Sequence, residues 1–231
     1  MENINVTEKK ITSKTAIGEK TVVVENIRYP FFESDDKKSK DLCNKMNAFY
    51  ESVAKKYSAY ARNAVIKKIK KCLNTCEIPV CMGMKYQVCF CSQSVISVVL
   101  DLSFSEGKRV KMRRFSQMWN CKNRSIISVG NLLDLSMKNK KNLLEKVLEK
   151  ALKESENIKK EYFNDLSAKV RKNFCFNNSF AAPMGMVFFF DAGILREEKY
   201  GACCFVVPYN EIKDMLKEQF LTGGTSENDD L

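Results

Sequence analysis

Cys72, Cys76 and Cys81, with Cys89 and Cys91 close behind, form the densest run of metal-capable side chains in this chain. Thiolates at such intervals can hold zinc, but gaps of three and four residues do not fit the paired two-residue knuckles of structural zinc sites. On a strand, Cys89 and Cys91 would share one face, as metal ligands or as plain core residues, since free cysteine behaves as a small hydrophobe. Cys203 and Cys204 would point to opposite faces and would not serve one site. Histidine is absent altogether, which removes the Ser-His-Asp triad, the Cys-His dyad, the zincin motif and the imidazole base. No cofactor is expected, and metal binding rests on those five cysteines alone.

Two cationic runs come next, Lys67-Lys68-Ile69-Lys70-Lys71 and Arg109-Val110-Lys111-Met112-Arg113-Arg114, in a chain with net charge +11. On a strand, Arg109, Lys111 and Arg113 share a face and could follow a phosphate backbone, while Phe115 and Trp119 could stack on bases. The same charges would equally serve as a solvated face, and no recognised nucleic-acid motif accompanies them. Among the acids, Asp101 and Glu106 flank a hairpin, and Asp35-Asp36 and Glu197-Glu198 lie in loops. Paired-acid catalysis needs two carboxyls roughly 5 to 9 Å apart, which exposed acids do not by themselves supply. Gly223-Gly224-Thr225 lacks the lysine of a phosphate loop. Phe188-Phe189-Phe190 and Tyr209 read as core aromatics.

The elements that must position these groups follow from periodicity. Branched residues in 10–29 predict one or two strands stopped at Tyr29-Pro30, followed by a charged loop over 34–41. Leu42, Met46, Phe49, Val53, Tyr57, Tyr60, Ala64 and Leu73 predict a long amphipathic helix over 41–73. After Pro79 and Gly83, strands over 84–91, 95–104 and 109–119 read as an antiparallel meander, the last two joined by Ser105-Glu106-Gly107-Lys108. A turn at 130–134 leads to a helical stripe from Leu143 to Leu152 and a second at Ile158, Tyr162, Phe163, Leu166 and Val170. The unbroken apolar run 186–190 predicts a strand covered on both faces. A strand over 202–207 ends at Pro208, Asn210 caps a final helix with Ile212, Met215, Leu216, Gln219 and Phe220 inward, and 222–231 reads as a disordered tail. This order predicts an α+β fold of two small lobes, 10–120 and 121–221, each a sheet with packed helices.

Within this order stand Tyr29-Pro30-Phe31-Phe32, Leu42-Cys43-Asn44-Lys45-Met46-Asn47 in the helix, Leu132-Leu133-Asp134, Met184-Gly185-Met186-Val187-Phe188-Phe189-Phe190 and a final block from Val206 to Ile212. In these words and their order the chain resembles the two-part extracytoplasmic domain of RsiV-type anti-sigma factors, also found as an accessory domain in PdaC-type peptidoglycan deacetylases. The most specific part of the resemblance is Val206-Val207-Pro208-Tyr209-Asn210-Glu211-Ile212. Where that family has an Asn-Pro-Tyr turn between its last two strands, this chain has Asp191-Ala192-Gly193-Ile194-Leu195. The resemblance implies a ligand-binding or sensory module without catalysis and, by family precedent, a bacterial cell-envelope setting.

The resulting expectation is a non-catalytic module of uncharacterised role whose partner is a protein or a glycan. Contacts are expected from the loops 105–108 and 196–201, with Arg109, Lys111, Arg113, Arg196 and Tyr200 as the binding residues. A basic nucleic-acid-associated protein and a carboxylate-based hydrolase are the alternatives. The polar N-terminus lacks the apolar run of a signal peptide, no segment approaches the roughly 20 apolar residues of a spanning helix, and ten cysteines suit a reducing compartment, so a soluble cytoplasmic location is expected. Glycosylation triplets at Asn5, Asn123 and Asn177 would matter only on export.

Overall fold

The structure, a computed structural model, describes residues 4–71, 79–158 and 161–217. Cys72, Leu73, Cys76, Gln219, Phe220 and the tail expected over 222–231 lie outside the described residues. Nine strands are described: β1 (Asn5–Ile17), β2 (Lys20–Glu33), β3 (Val80–Cys91), β4 (Val95–Glu106), β5 (Arg109–Asn120), β6 (Ser125–Ile127), β7 (Ser179–Ala182), β8 (Gly185–Phe190) and β9 (Cys203–Pro208). The helices are α1 (Lys37–Lys71), α2 (Val129–Leu132), α3 (Met137–Asn157) and α4 (Leu166–Asn173), with 3-10 turns at Glu198–Tyr200 and Tyr209–Met215. β1 to β6 form one sheet in sequence order and β7-β8-β9 a second. The chain is thus α+β with two sheet lobes. Two compact units interleave along it: residues up to Gln87 with Leu100–Phe115, and Val88–Val99 with the residues from Ser116 on.

In the first unit β1 and β2 form a long antiparallel hairpin in which Ile17 pairs with Lys20. Gly18 opens that turn at φ +62, and Gly107 opens the turn between β4 and β5 at φ +56, a left-handed conformation that glycine adopts without a Cβ clash. β2 pairs with β3 in parallel, Val23 to Ile27 against Val80 to Met84. A parallel pair needs a crossover, and α1 supplies it. Asp36 caps this helix, accepting from the Ser39 amide at 3.0 Å and its hydroxyl at 2.8 Å, so the helix begins inside the expected loop. Nor does β2 stop at Pro30. It runs on to Glu33, because the β2–β3 ladder has ended at Ile27 and the missing proline N–H falls beyond it.

The buried face of α1 is rotated from the expected stripe. Leu42, Met46, Tyr50, Ala54, Ser58, Ala61, Val65 and Ile69 are buried, whereas Tyr60 is 78% exposed. Small Ala54, Ser58 and Ala61 lie where the helix meets the sheet, and the larger apolar side chains one step round are left half-covered. Val22, Val23, Val80 and Met82 complete this core with Ala61, Val65 and Ile69.

A carboxylate sits in the middle of it. The Glu25 side chain on β2 is fully buried; it accepts from the Ser58 hydroxyl at 2.7 Å, from Arg62 Nε at 3.1 Å, from the other arm of Arg62 and from the Ser13 hydroxyl on β1. Burial alone would push this carboxyl upward, but the hydrogen bonds from Ser13, Ser58 and Arg62 together hold it below the ordinary glutamate value.

In the second unit all six residues of β8 are buried, as its unbroken apolar run predicts. Phe188 and Phe190 join Leu143, Val147 and Ala151 of α3 and Phe205 of β9 in one cluster; Val187 and Phe189 face the other way, with Val99 and Phe180. β7 was not foreseen: it is a four-residue strand on which Phe180 and Ala181 are buried. The second helical stripe is shorter than its spacing suggests. Tyr162 bridges to Arg196 and the Phe163 amide donates to the Leu195 carbonyl at 3.1 Å, so α4 starts only at Leu166. The final helix is a 3-10 turn preceded by Pro208 rather than capped by Asn210. Its backbone must leave helical geometry so that Leu216 can bridge to Leu133 and the Lys217 amide can reach the Leu132 carbonyl.

Two outcomes test this account. Glu25 is more acidic folded than unfolded, so it stabilises fully above the ordinary glutamate range, and that contribution is lost as pH falls through its lowered value. Glu25→Gln should cost roughly 3 kcal/mol at neutral pH, as for one broken half of a buried pair, and urea denaturation should show a flatter loss of stability on acidification. At Gly185, an added Cβ would lie 2.2 Å from the Val207 carbonyl oxygen and 2.8 Å from Pro208 Cα. Gly185→Ala should therefore cost about 3 kcal/mol or more, lowering Tm by roughly 6–12 °C. Gly83→Ala, which meets only the Ser103 hydroxyl, should cost far less.

Candidate functional site

Of the five thiols considered as metal ligands, Cys72 and Cys76 lie outside the described residues, and the other three fall in different surroundings. Cys81 and Cys91 are exposed, and Cys89 packs beside Phe180, Val187 and Phe189. No group of three metal-capable side chains occurs among the described residues. Cys203 and Cys204 point to opposite faces of β9 as expected, Cys203 into the α3 cluster and Cys204 toward Val99 and Phe180.

Three of the candidate acids are engaged with cations. Asp101 accepts from Arg114 Nε and Nη2 at 2.7 Å, Glu106 accepts from Lys68 at 2.6 and 2.7 Å, and Glu197 pairs with Lys199 at 2.6 Å. Each is committed to a partner on its own unit. Arg109, Lys111 and Arg113 are exposed in a row on β5, and Phe115, half-exposed, continues that row. Trp119 does not join them, being 4% exposed.

Arg196 and Tyr200 are brought together. The Arg196 guanidinium donates to Glu161 at 3.2 Å and to the Tyr200 carbonyl at 3.0 Å, with the rings of Tyr162 and Tyr200 at 5.7 and 5.9 Å. Its Nε is buried without a hydrogen-bond partner among the described residues. Tyr162 donates to Glu154 at 2.7 Å; burial first, then that bond, pushes its phenol well above the usual tyrosine range. Burial likewise pushes the Cys203 thiol up to about 11, against an opposing pull from Arg196. These groups are held apart from nucleophilic chemistry at neutral pH.

A groove in the second unit was missed by the sequence reading. It has a volume of about 470 Å³ and is lined by Ser116, Gln117, Ser128, Asn131, Asn177 and Ser179, over Met118, Ile126, Ile127 and Val129. Its walls are cross-tied. The Ser116 hydroxyl donates to the Ser179 carbonyl at 2.7 Å, the Ser179 hydroxyl to the Phe176 carbonyl at 2.6 Å, and the Ser128 amide and hydroxyl to Asn131 Oδ1 at 2.9 and 3.0 Å. The side chains of Gln117 and Asn177 and the amide nitrogen of Asn131 make no hydrogen bond among the described residues. Among the described residues no ionisable side chain lines the groove, and these offer amide and hydroxyl recognition but no acid, base or nucleophile. Its only early signal was the polar run at 116–117 and 128–131, which carries no motif.

No helix among the described residues is long and apolar enough to cross a membrane. No protein-family model and no curated protein matches the chain. Among solved structures, it is similar to a DUF3298 family member from Bacteroides fragilis, with a TM-score of 0.62, 12% identity, and coverage of 94% of this chain and 95% of that one. It is also similar to a DUF3298 family protein from Pseudomonas aeruginosa, with a TM-score of 0.61, 14% identity, and coverage of 94% and 96%. At these identities the likeness is one of fold: nearly the whole chain follows the architecture of those two proteins.

Proposed function

We propose that this chain is a non-catalytic binding module whose uncharged groove takes a neutral, hydrogen-bonding ligand, a glycan or an extended protein segment. The carrying observation is the lining itself: six amide or hydroxyl side chains over an apolar floor, with no ionisable group among the described residues. Such a surface suits sugar hydroxyls or peptide groups, which need donors and acceptors at fixed positions and no net charge. The cross-tied serines favour a preformed site, which lowers the ordering cost of binding. The RsiV/PdaC resemblance, with its sensory and accessory domains, supports the same reading. A hydrolase is disfavoured because Asp101, Glu106 and Glu197 are each tied up by a cation. The eight described cysteines, all unbridged, favour a reducing compartment over the envelope setting that the resemblance implies.

Titration of the labelled chain with a tetramer of N-acetylglucosamine and with uncharged extended peptides, followed by NMR, should shift resonances of Gln117, Asn131 and Asn177 first. Replacing Gln117 and Asn177 together by Ala should weaken binding about tenfold, as for the loss of one or two net hydrogen bonds, and raising salt to about 0.3 M should leave it unchanged. Saturable binding to neither ligand, or binding that collapses with salt, would overturn the reading.

A further inference from the structure

The first unit holds a second surface whose chemistry is opposite to that of the groove. Its geometry follows from the sheet. Glu25 faces α1, so its neighbour Asn26 faces away, and so does Gly83, which pairs with Asn26. A Cβ on Gly83 would meet the Ser103 hydroxyl, which places Ser103 and Asp101 on that same outer face. Arg114, bound to Asp101 through Nε and Nη2, lies there too. Alternation then puts Arg109, Lys111, Arg113 and Phe115 on the α1 side of the sheet, all exposed. Phe104 of β4 agrees, packing against the α1 core.

On the helix, the flank turned toward β4 is marked by two bonds. The Tyr57 hydroxyl donates to the Ser103 carbonyl at 2.9 Å, and Lys68 reaches Glu106. One step outward on the same flank stand Tyr60 and Lys71, three residues on from Tyr57 and Lys68 and both exposed. The result is a furrow with Lys71 on one bank, three cations about 7 Å apart on the other, and an aromatic ring on each. Glu106, the carboxylate at this flank, is taken up by Lys68. Among the described residues no strand pairs with the outer edge of β5 before Met118, since β6 pairs with it only from Met118 to Asn120.

Charged side chains on an open strand are a known guard against edge-to-edge pairing. That accounts for Arg109, Lys111 and Arg113, but not for a tyrosine 78% exposed and a phenylalanine 50% exposed on the two flanks, nor for Lys71 opposite. Cations that track a phosphate backbone, interleaved with rings on which unpaired bases stack, are the combination that binds single strands without reading sequence. We propose that this furrow between α1 and β5 binds single-stranded nucleic acid, independently of the neutral groove.

The test uses the full chain and a fluorescein-labelled 20-nucleotide oligothymidylate, with anisotropy read across a salt series. Four phosphate contacts give a log–log salt slope of about −3. Replacing Arg109, Lys111 and Arg113 together by Ala should bring the slope to about −1 and weaken binding roughly a hundredfold at low salt. Tyr60→Ala and Phe115→Ala should each weaken it about tenfold with the slope unchanged. These positions are exposed, so an unaltered Tm identifies a folded variant. No binding at low salt would overturn the proposal. So would affinity untouched by the triple variant, or binding that inorganic polyphosphate displaces equally well and that both aromatic variants leave intact. Tighter binding of poly-glutamate than of oligothymidylate would assign the surface to an acidic protein instead and would equally overturn it.

Discussion

A carboxylate cut off from water must find its solvation inside the protein, and Glu25 finds it from three directions at once. Ser13 reaches it from β1, Ser58 and Arg62 from α1. Because those donors lie on separate elements, the charge is satisfied only when hairpin, sheet and helix are in register together. A shift of α1 by one residue would carry Ser58 and Arg62 away and leave a buried anion alone, at a cost far above that of misplaced apolar groups. The apolar contacts around it are numerous but forgiving; the polar centre is neither. The exposed furrow along the helix exists because this centre fixes which flank of α1 faces the sheet.

The second unit is organised on another basis. β8 is apolar on both faces, with aromatic rings on one side against α3 and on the other against Phe180 and Val99. It packs so closely to β9 that Gly185 leaves no space for a side chain. Polar residues are thereby pushed to the rim, where the serines and asparagines of the groove tie loop backbone together rather than solvate charges. The two units thus carry contrasting surfaces, one neutral and grooved, the other cationic and open. Each follows from what its own core excludes.

Much of the fold was legible in the chain. The long helix, the strands at 84–91, 95–104, 109–119 and 186–190, and the α+β class could be read because period and run length are local properties of the sequence. The departures share a cause. Pro30 does not end its strand because ladder position, not proline itself, decides; Tyr162 is not helical because Arg196 claims its backbone; the final helix unwinds because Leu133 does. The rotated face of α1 was hidden because alanine and serine look unimportant beside phenylalanine and tyrosine, although small size is what allowed close approach. Of the expected contact residues, Arg196 and Tyr200 meet, and Arg109, Lys111 and Arg113 form a row. The groove was invisible because serines and asparagines carry no motif until three distant segments converge.

The path of the chain between its two units has a hereditary consequence. It passes into the second unit at Val88, comes back at Leu100 and crosses again at Ser116. Neither unit is encoded by an uninterrupted stretch of gene, so recombination cannot lift one out as a cassette and splice it beside a new neighbour. The pair must be duplicated, transferred or lost together, and diversification of either surface has to proceed by substitution in place.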